Sequence, residues 1–292
     1  MFPVFIVGPT ASGKSAVALE LAGRLGAEIV SADSMQVYRG MDIGTAKPTA
    51  AERQQVSHQL LDVCDIHESF DVKQFIELAR PWLPRALVVG GTGLYVRALR
   101  HGLFTGPGRN ADLRARLEVL PVETLFAELE QRDPQTAATI DRHNPRRLIR
   151  ALEVFYGTGQ SIRKLQTQTS CPADFIFGLD RQRPDLFARI ERRIDEQITA
   201  GWVAEVQQLL DRGLAKNPIA LQAAGYRELA AYLAGELTLP AAVALIKTRT
   251  RQLARRQMTW FRREPGLQWI AVATDEPAAV TASRILEKLP SH

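Results

Sequence analysis

Residues 8–15 read Gly8-Pro9-Thr10-Ala11-Ser12-Gly13-Lys14-Ser15, a glycine-bounded loop that ends in a lysine and a hydroxyl. That is the spacing of a phosphate-binding P-loop. Its glycines let backbone N–H groups converge on phosphate oxygens, and the following helix N-terminus adds its dipole. Lys14 brings a mobile cation, and the Ser15 hydroxyl can ligand a phosphate-bound Mg2+. The motif carries meaning only between a strand and a helix. The apolar run 2–7 before it, and Val17, Leu21 and Leu25 at helical spacing after it, supply that context. Which phosphate ester binds does not follow from the loop. A kinase or NTPase is the first reading, and there an acid beyond an apolar strand helps hold magnesium. Asp33, after the run 28–32, stands in such a place. The next apolar run, 86–89, ends in Gly90-Gly91-Thr92 rather than in an acid, which argues against a small-molecule kinase.

Two further features bear on the acceptor. Beyond Asp33, Ser34, Met35 and Gln36 lead into a polar, glycine-punctuated stretch that runs to Pro48, and long loops at strand ends carry binding residues. Residues 247–263 contain seven basic side chains and no acidic one. At about 100° per residue, Lys247, Arg251, Arg255 and Arg262 fall on one stripe and Arg249, Arg256 and Arg263 on another. Ile246, Leu253, Trp260 and Phe261 occupy the arc between. The apolar seam is expected to dock on the core while the cationic flanks face outward, a footprint for nucleic-acid phosphates. The formal net charge of +5 is compatible with a polyanionic partner and is also common among ordinary enzymes.

The loop 8–15, the runs 31–36 and 38–48, and Gly90-Gly91-Thr92-Gly93-Leu94-Tyr95 together resemble tRNA dimethylallyltransferases of the compact bacterial type. Blocks at 144–153, 225–228 and 251–262 resemble that family's later motifs in the same order. The resemblance implies that the loop, Gly8 through Ser15, holds the pyrophosphate of dimethylallyl diphosphate with Mg2+ on Ser15, and that Arg193, with Arg189 next, assists. It implies transfer of the dimethylallyl group to N6 of the adenosine 3′ of the anticodon, in tRNAs reading codons that begin with U. Asp33 is then the base, with Thr92, Lys14 and Arg193 completing the catalytic set. Contacts to the anticodon stem-loop are implied for Asp33, Ser34, Met35, Gln36 and Thr92. They extend to Arg114, Arg146, Arg147, Leu148, Ile149 and Arg150 in the middle of the chain. Late in the chain they fall on Tyr226 and Arg227, then on Arg251, Arg255, Arg256, Gln257, Thr259, Trp260 and Arg262. A transferase acting on free adenine nucleotides shares the chemistry, and the basic helix favours the polymeric acceptor. Three departures stand out. Pro81 and Pro84 shorten the helix before the third strand, Ala224 stands where relatives often carry isoleucine, and no zinc-finger extension follows.

These residues need a scaffold of α/β class. Strand-like runs at 2–7, 28–32, 86–89, 175–179 and 267–272 separated by helical stretches predict a P-loop, nucleotide-kinase-like parallel sheet. Residues 112–167 look helical throughout and are too long for a crossover, which predicts an inserted helical subdomain between core segments 1–111 and 168–292. From 184 to 263 the pattern is helical, with breaks near 213–218 and 235–240. Cys64 and Cys171 lack a disulfide or zinc rhythm, and the five histidines lack ligand spacing. The N-terminal apolar run is too short to export or anchor the chain. A cytoplasmic monomer without membrane contact is expected.

Overall fold

The computed structural model describes residues 3–103, 106–108, 110–165 and 175–290. Six strands, β1 (Val4–Val7), β2 (Glu28–Ser31), β3 (His58–Gln59), β4 (Ala86–Gly90), β5 (Phe175–Arg181) and β6 (Gln268–Val272), form one sheet in the order β3-β2-β4-β1-β5-β6. Every pairing is parallel. Five of these strands match the apolar runs. The two-residue β3 is too short to leave an alternation in the sequence, and it exists because Ile29 and Val30 offer an edge to His58 and Gln59.

Both faces of the sheet are buried, which is why its strands read as continuous apolar runs. Val4 and Ile6 point into one core with Val17, Leu21 and the helix Ala278–Leu286, while Phe5 and Val7 point into the other with Ile190, Tyr226, Ile246 and Phe261. The helix Lys14–Leu25 thus lies under the first face. Helices Arg183–Thr199, Tyr226–Leu233 and Leu239–Phe261 cover the second. Thr238 caps the last of these through the Ala241 N–H, with Pro240 in its first turn, so the break expected near 235–240 is a helix start. Where Pro81 and Pro84 curtail the helix Val72–Ala79, the chain continues as a 3-10 turn, Arg80–Arg85, straight into β4. Among the described residues no helix is long and apolar enough to cross a membrane.

The chain divides into two compact units, residues 1–100 with 171–292, and residues 101–170. The second has its own core, in which Leu117, Leu125, Leu129, Leu148 and Leu152 pack together. Asn144 caps the helix Pro145–Thr158 by accepting the Arg147 N–H, and Gly159 ends it in the left-handed region. Glu153, 1 % exposed, accepts the Asn110 N–H at 2.8 Å, Arg114 Nε at 3.1 Å and Arg150 Nη1 at 2.6 Å. Burial alone would raise the Glu153 carboxyl, but its hydrogen bonds from Arg114 and Arg150 outweigh that and hold it below its ordinary value of 4.5.

Glu153→Ala would remove the carboxylate that Arg114 and Arg150 share, each of them about a quarter to a third exposed. We expect a loss of about 2–3 kcal/mol, less than for a fully buried pair, read by denaturant unfolding. Because the folded carboxyl titrates below the unfolded one, the gap between wild type and variant is full above pH 4.5 and closes as pH falls through the depressed value.

Candidate active site

The strand order decides what meets what. β2, β4 and β1 are neighbours, in register so that Ser31 pairs with Val89 and Val7 with Gly90. Their C-terminal ends therefore lie side by side, and each opens into one of the loops singled out by residue type. The Ala32 N–H bonds the Val89 carbonyl at 2.8 Å, and the Thr92 N–H bonds the Ala32 carbonyl at 3.1 Å. A Cβ on residue 90 would lie 2.1 Å from that same carbonyl oxygen, so only glycine lets the two strand ends come this close.

The segment Asp33–Ser34 after β2 thus lies beside Thr92 after β4, although of Asp33 and Thr92 only Asp33 lines the cavities at this end of the sheet. Asp33 Oδ1 accepts the Met35 N–H at 2.9 Å, and its other oxygen makes no hydrogen bond among the described residues. Thr92 Oγ1 accepts the Ser34 N–H at 3.0 Å and donates to Ser34 Oγ at 3.3 Å. Two adjoining cavities, about 80 and 90 Å³, open at Asp33. Thr10, Lys14, Asp33, Thr45 and Arg193 line both. The first continues past Ser15 and Ser31, and the second past Met35, Trp202, Leu253 and Gln257.

The glycine loop is held from behind. Arg181 Nε donates to the Ser12 carbonyl at 2.9 Å and Arg189 Nε to the Ala11 carbonyl at 3.0 Å, while Arg193 Nη2 donates to Thr10 Oγ1. Arg181 sits at the end of β5, beside β1, and is itself anchored by Asp185 at 2.9 Å. Lys14 Nζ reaches back to the Pro9 carbonyl at 3.3 Å. Burial pulls the Lys14 ammonium from 10.5 down to about 8; Asp33 opposes that shift and Arg193 adds to it. Desolvation likewise lowers the Arg193 guanidinium, again against the pull of Asp33. One carboxylate therefore faces two crowded cations, a field short of negative charge.

Several implied contact residues do other work. Gln36 spends its amide on Ser31 Oγ and on the Thr45 and Ala46 carbonyls, folding the long loop back on β2. Leu148 and Ile149 are buried in the core of the second unit, and Tyr226 is buried edge-on against Trp202. These three side chains cannot face a partner, and burial of their apolar surface is the reason. Arg114 and Arg150 are engaged by Glu153, whereas Arg146 and Arg147 are exposed at the helix start.

On the basic helix the buried line is Ile246, Thr250, Ala254 and Phe261, with Leu253 and Trp260 only half-buried. The expected outward stripe is therefore only partly open. Lys247 pairs with Asp195 at 2.7 Å and Arg251 pairs with Glu191, both across to the helix Arg183–Thr199. Arg255, Arg256, Thr259 and Arg262 are exposed, as is Arg227 on the preceding helix. Trp260 packs over Gly93 and under the Arg97 guanidinium, 4.9 Å from its ring centroid.

Sequence reasoning missed Arg181, Glu205 and the role of Gln257. Glu205 gathers the N–H groups of Asp42, Ile43 and Gly44 at 3.0, 2.6 and 3.2 Å and the Tyr226 hydroxyl at 2.6 Å, which pins the 41–47 turn beside the cavities. Lys47 closes that turn from inside on Asp42 at 2.7 Å and Asp62 at 2.6 Å. An acid in the first turn of an amphipathic helix gives no signal of this.

The family model described as IPP transferase matches residues 36–264. The chain belongs to the IPP transferase family. It is 46% identical to tRNA dimethylallyltransferase 1 of Trichlorobacter lovleyi, over 94% of this chain and 97% of that one. It is 44% identical to a tRNA dimethylallyltransferase of Geobacter metallireducens, over 91% of each. The crystal structure of the tRNA isopentenylpyrophosphate transferase of Bacillus halodurans superposes with a TM-score of 0.72 at 39% identity, covering 98% of this chain and 96% of that one.

The Lys14 position gives a test that needs no turnover. Free Lys14 is charged below pH about 8 and neutral above it, so affinity for inorganic pyrophosphate should fall as pH rises through that value. Lys14→Arg, which stays charged, should move that fall out of the range pH 7–10 in a calorimetric titration.

Proposed function

We propose that this chain transfers the dimethylallyl group of dimethylallyl diphosphate to the N6 amine of the adenosine next to the anticodon in tRNA, giving N6-isopentenyladenosine. The observation that carries the reading is the pairing of Asp33 with the cationic loop across one opening. It supports reading Asp33 as a proton acceptor and the loop as a diphosphate cradle, within a chain of this family.

The exocyclic amine of adenine is a weak nucleophile, because its lone pair is delocalised into the ring. In the proposed step N6 attacks C1 of the dimethylallyl group, the C1–O bond breaks, and pyrophosphate leaves with the bonding pair. The N6 proton passes to the Asp33 carboxylate. Lys14, Arg193 and the N–H groups of residues 13–15 take up the charge that gathers on the leaving pyrophosphate. Thr92 steadies the Ser34 N–H, and with it the backbone on which Asp33 is mounted. Magnesium fits this arrangement. Mg2+ takes one or two protein oxygens and completes its shell with phosphate and water, and the exposed Ser15 hydroxyl lines the same cavity as Asp33. Bound there, the ion would neutralise pyrophosphate charge.

For tRNA, the exposed Arg255, Arg256 and Arg262 supply cations for the phosphates of the stem-loop. Lys247 and Arg251 carry Asp195 and Glu191 as partners, so a phosphate would have to compete with those carboxylates for them.

With radiolabelled dimethylallyl diphosphate and unmodified tRNA, label should move to tRNA and not to AMP, and no ADP should form from added ATP. Asp33→Ala should lower transfer by roughly two to four orders of magnitude with pyrophosphate affinity nearly unchanged, as for loss of a general base. Transfer surviving within a few-fold would remove Asp33 from that role. Arg256→Gln/Arg262→Gln should weaken binding of all cognate tRNAs alike. It should also flatten the salt dependence in proportion to the phosphates no longer neutralised, checked by tRNA binding across a salt series.

A further inference from the structure

Gln257 lies on the helix Leu239–Phe261 and lines the second cavity, where Lys14, Asp33 and Arg193 are the charged groups around it. Its Oε1 accepts the Thr10 N–H at 2.8 Å and its Nε2 donates to the Gly91 carbonyl at 3.1 Å. One partner is a donor and the other an acceptor, so the partners themselves dictate the orientation of the amide. A Cβ on residue 91 would lie 2.3 Å from Nε2, so the glycine is what admits the amide.

A single side chain thus ties together two loops that follow different strands. Thr10 belongs to the glycine loop after β1, and its hydroxyl also receives Arg193. Gly91 follows β4 and precedes Thr92, whose hydroxyl holds the Ser34 N–H beside Asp33. In the transfer step one loop grips the leaving group and the other carries the proton acceptor's mounting. Their spacing sets how the amine, C1 and the departing oxygen line up, and a misplacement of about 1 Å is enough to cost on the order of a hundredfold in rate.

We propose that Gln257 is a positioning residue for prenyl transfer, fixing the distance between the diphosphate loop and the Asp33–Thr92 side, and is not a tRNA contact. The proposal rests on the transferase reading above. An amide suits this place because it accepts and donates at once. Methionine matches its length and does neither, while glutamate keeps the acceptor for Thr10 and turns an anion toward the Gly91 carbonyl.

The test compares wild type, Gln257→Met and Gln257→Glu at a temperature where circular dichroism shows all three folded. Both variants should raise KM for dimethylallyl diphosphate and lower kcat, with kcat/KM down roughly ten- to hundredfold, as expected when a half-buried hydrogen-bonding group loses its partner and alignment slips. Gln257→Glu should be the worse, and the tRNA Kd without diphosphate should stay within about twofold. Weaker tRNA binding with unchanged diphosphate constants would make Gln257 an RNA contact and overturn the proposal. So would a lowered melting temperature with unchanged kinetic constants, which would leave it a packing residue. If wild type binds pyrophosphate but transfers nothing to tRNA, the transferase reading fails by itself. Pyrophosphate affinity then still decides the positioning role, upheld if both variants weaken it and overturned if neither does.

Discussion

A turn that aims its N–H groups at an anion must send its carbonyl oxygens back into the protein, and each needs a donor there. In this chain the donors come from β5 and from one long helix. Arg181 serves Ser12, and Arg189 serves Ala11. A buried carbonyl left without a partner costs about 1–3 kcal/mol, and here several would be stranded together in a loop with Ala11 already at φ 63°. The glycine loop therefore depends on residues about 170 positions later in the chain, supplied only once β5 has paired with β1.

The same helix helps set the electrostatics. Lys14 and Arg193 converge where Asp33 is the one carboxylate common to both cavities, and both cations are held below their ordinary values by desolvation. Such a site gains more from a bound anion than from water, because the anion relieves cation–cation repulsion that the fold has already imposed. The charge arrangement also argues for where the acceptor enters. Cations that carry acidic partners, Lys247 and Arg251, are neutralised in place, while those beyond them on the same helix are exposed. An exposed ion pair is worth little in stability, so its larger effect is to shape the field that a polyanion meets.

Gly90, Gly91 and Gly93 show how tightly the two sides are assembled. Each is packed so that a methyl group would strike, in turn, the Ala32 carbonyl, the Gln257 amide and the Trp260 ring. Strand end, amide and indole form one contiguous wall, and the helix Leu239–Phe261 supplies two of its three parts. A helix that reads from sequence as a nucleic-acid surface is equally a structural member of the site.

The sequence by itself determined the local pieces. The spacing of residues 8–15 between an apolar run and a helical one, the acid after the second strand and the Gly90-Gly91-Thr92 end of the fourth were legible because each is encoded within a few neighbouring residues. Five of six strands and the helical stretch around 112–167 were legible for the same reason. What only the tertiary structure decided was which of these ends stand together. Parallel strands joined through helices carry no local mark of their order, so the adjacency of β2, β4, β1 and β5 comes from pairings such as Val4 with Leu87 and with Phe175. Polar side chains were hardest to assign. Gln36, Gln257 and Tyr226 all suit an exposed contact by type, yet each is spent on its own chain. Whether a donor or acceptor meets water, a ligand or its own chain depends on what packing brings within about 3 Å, and that distance is fixed only when the whole fold closes.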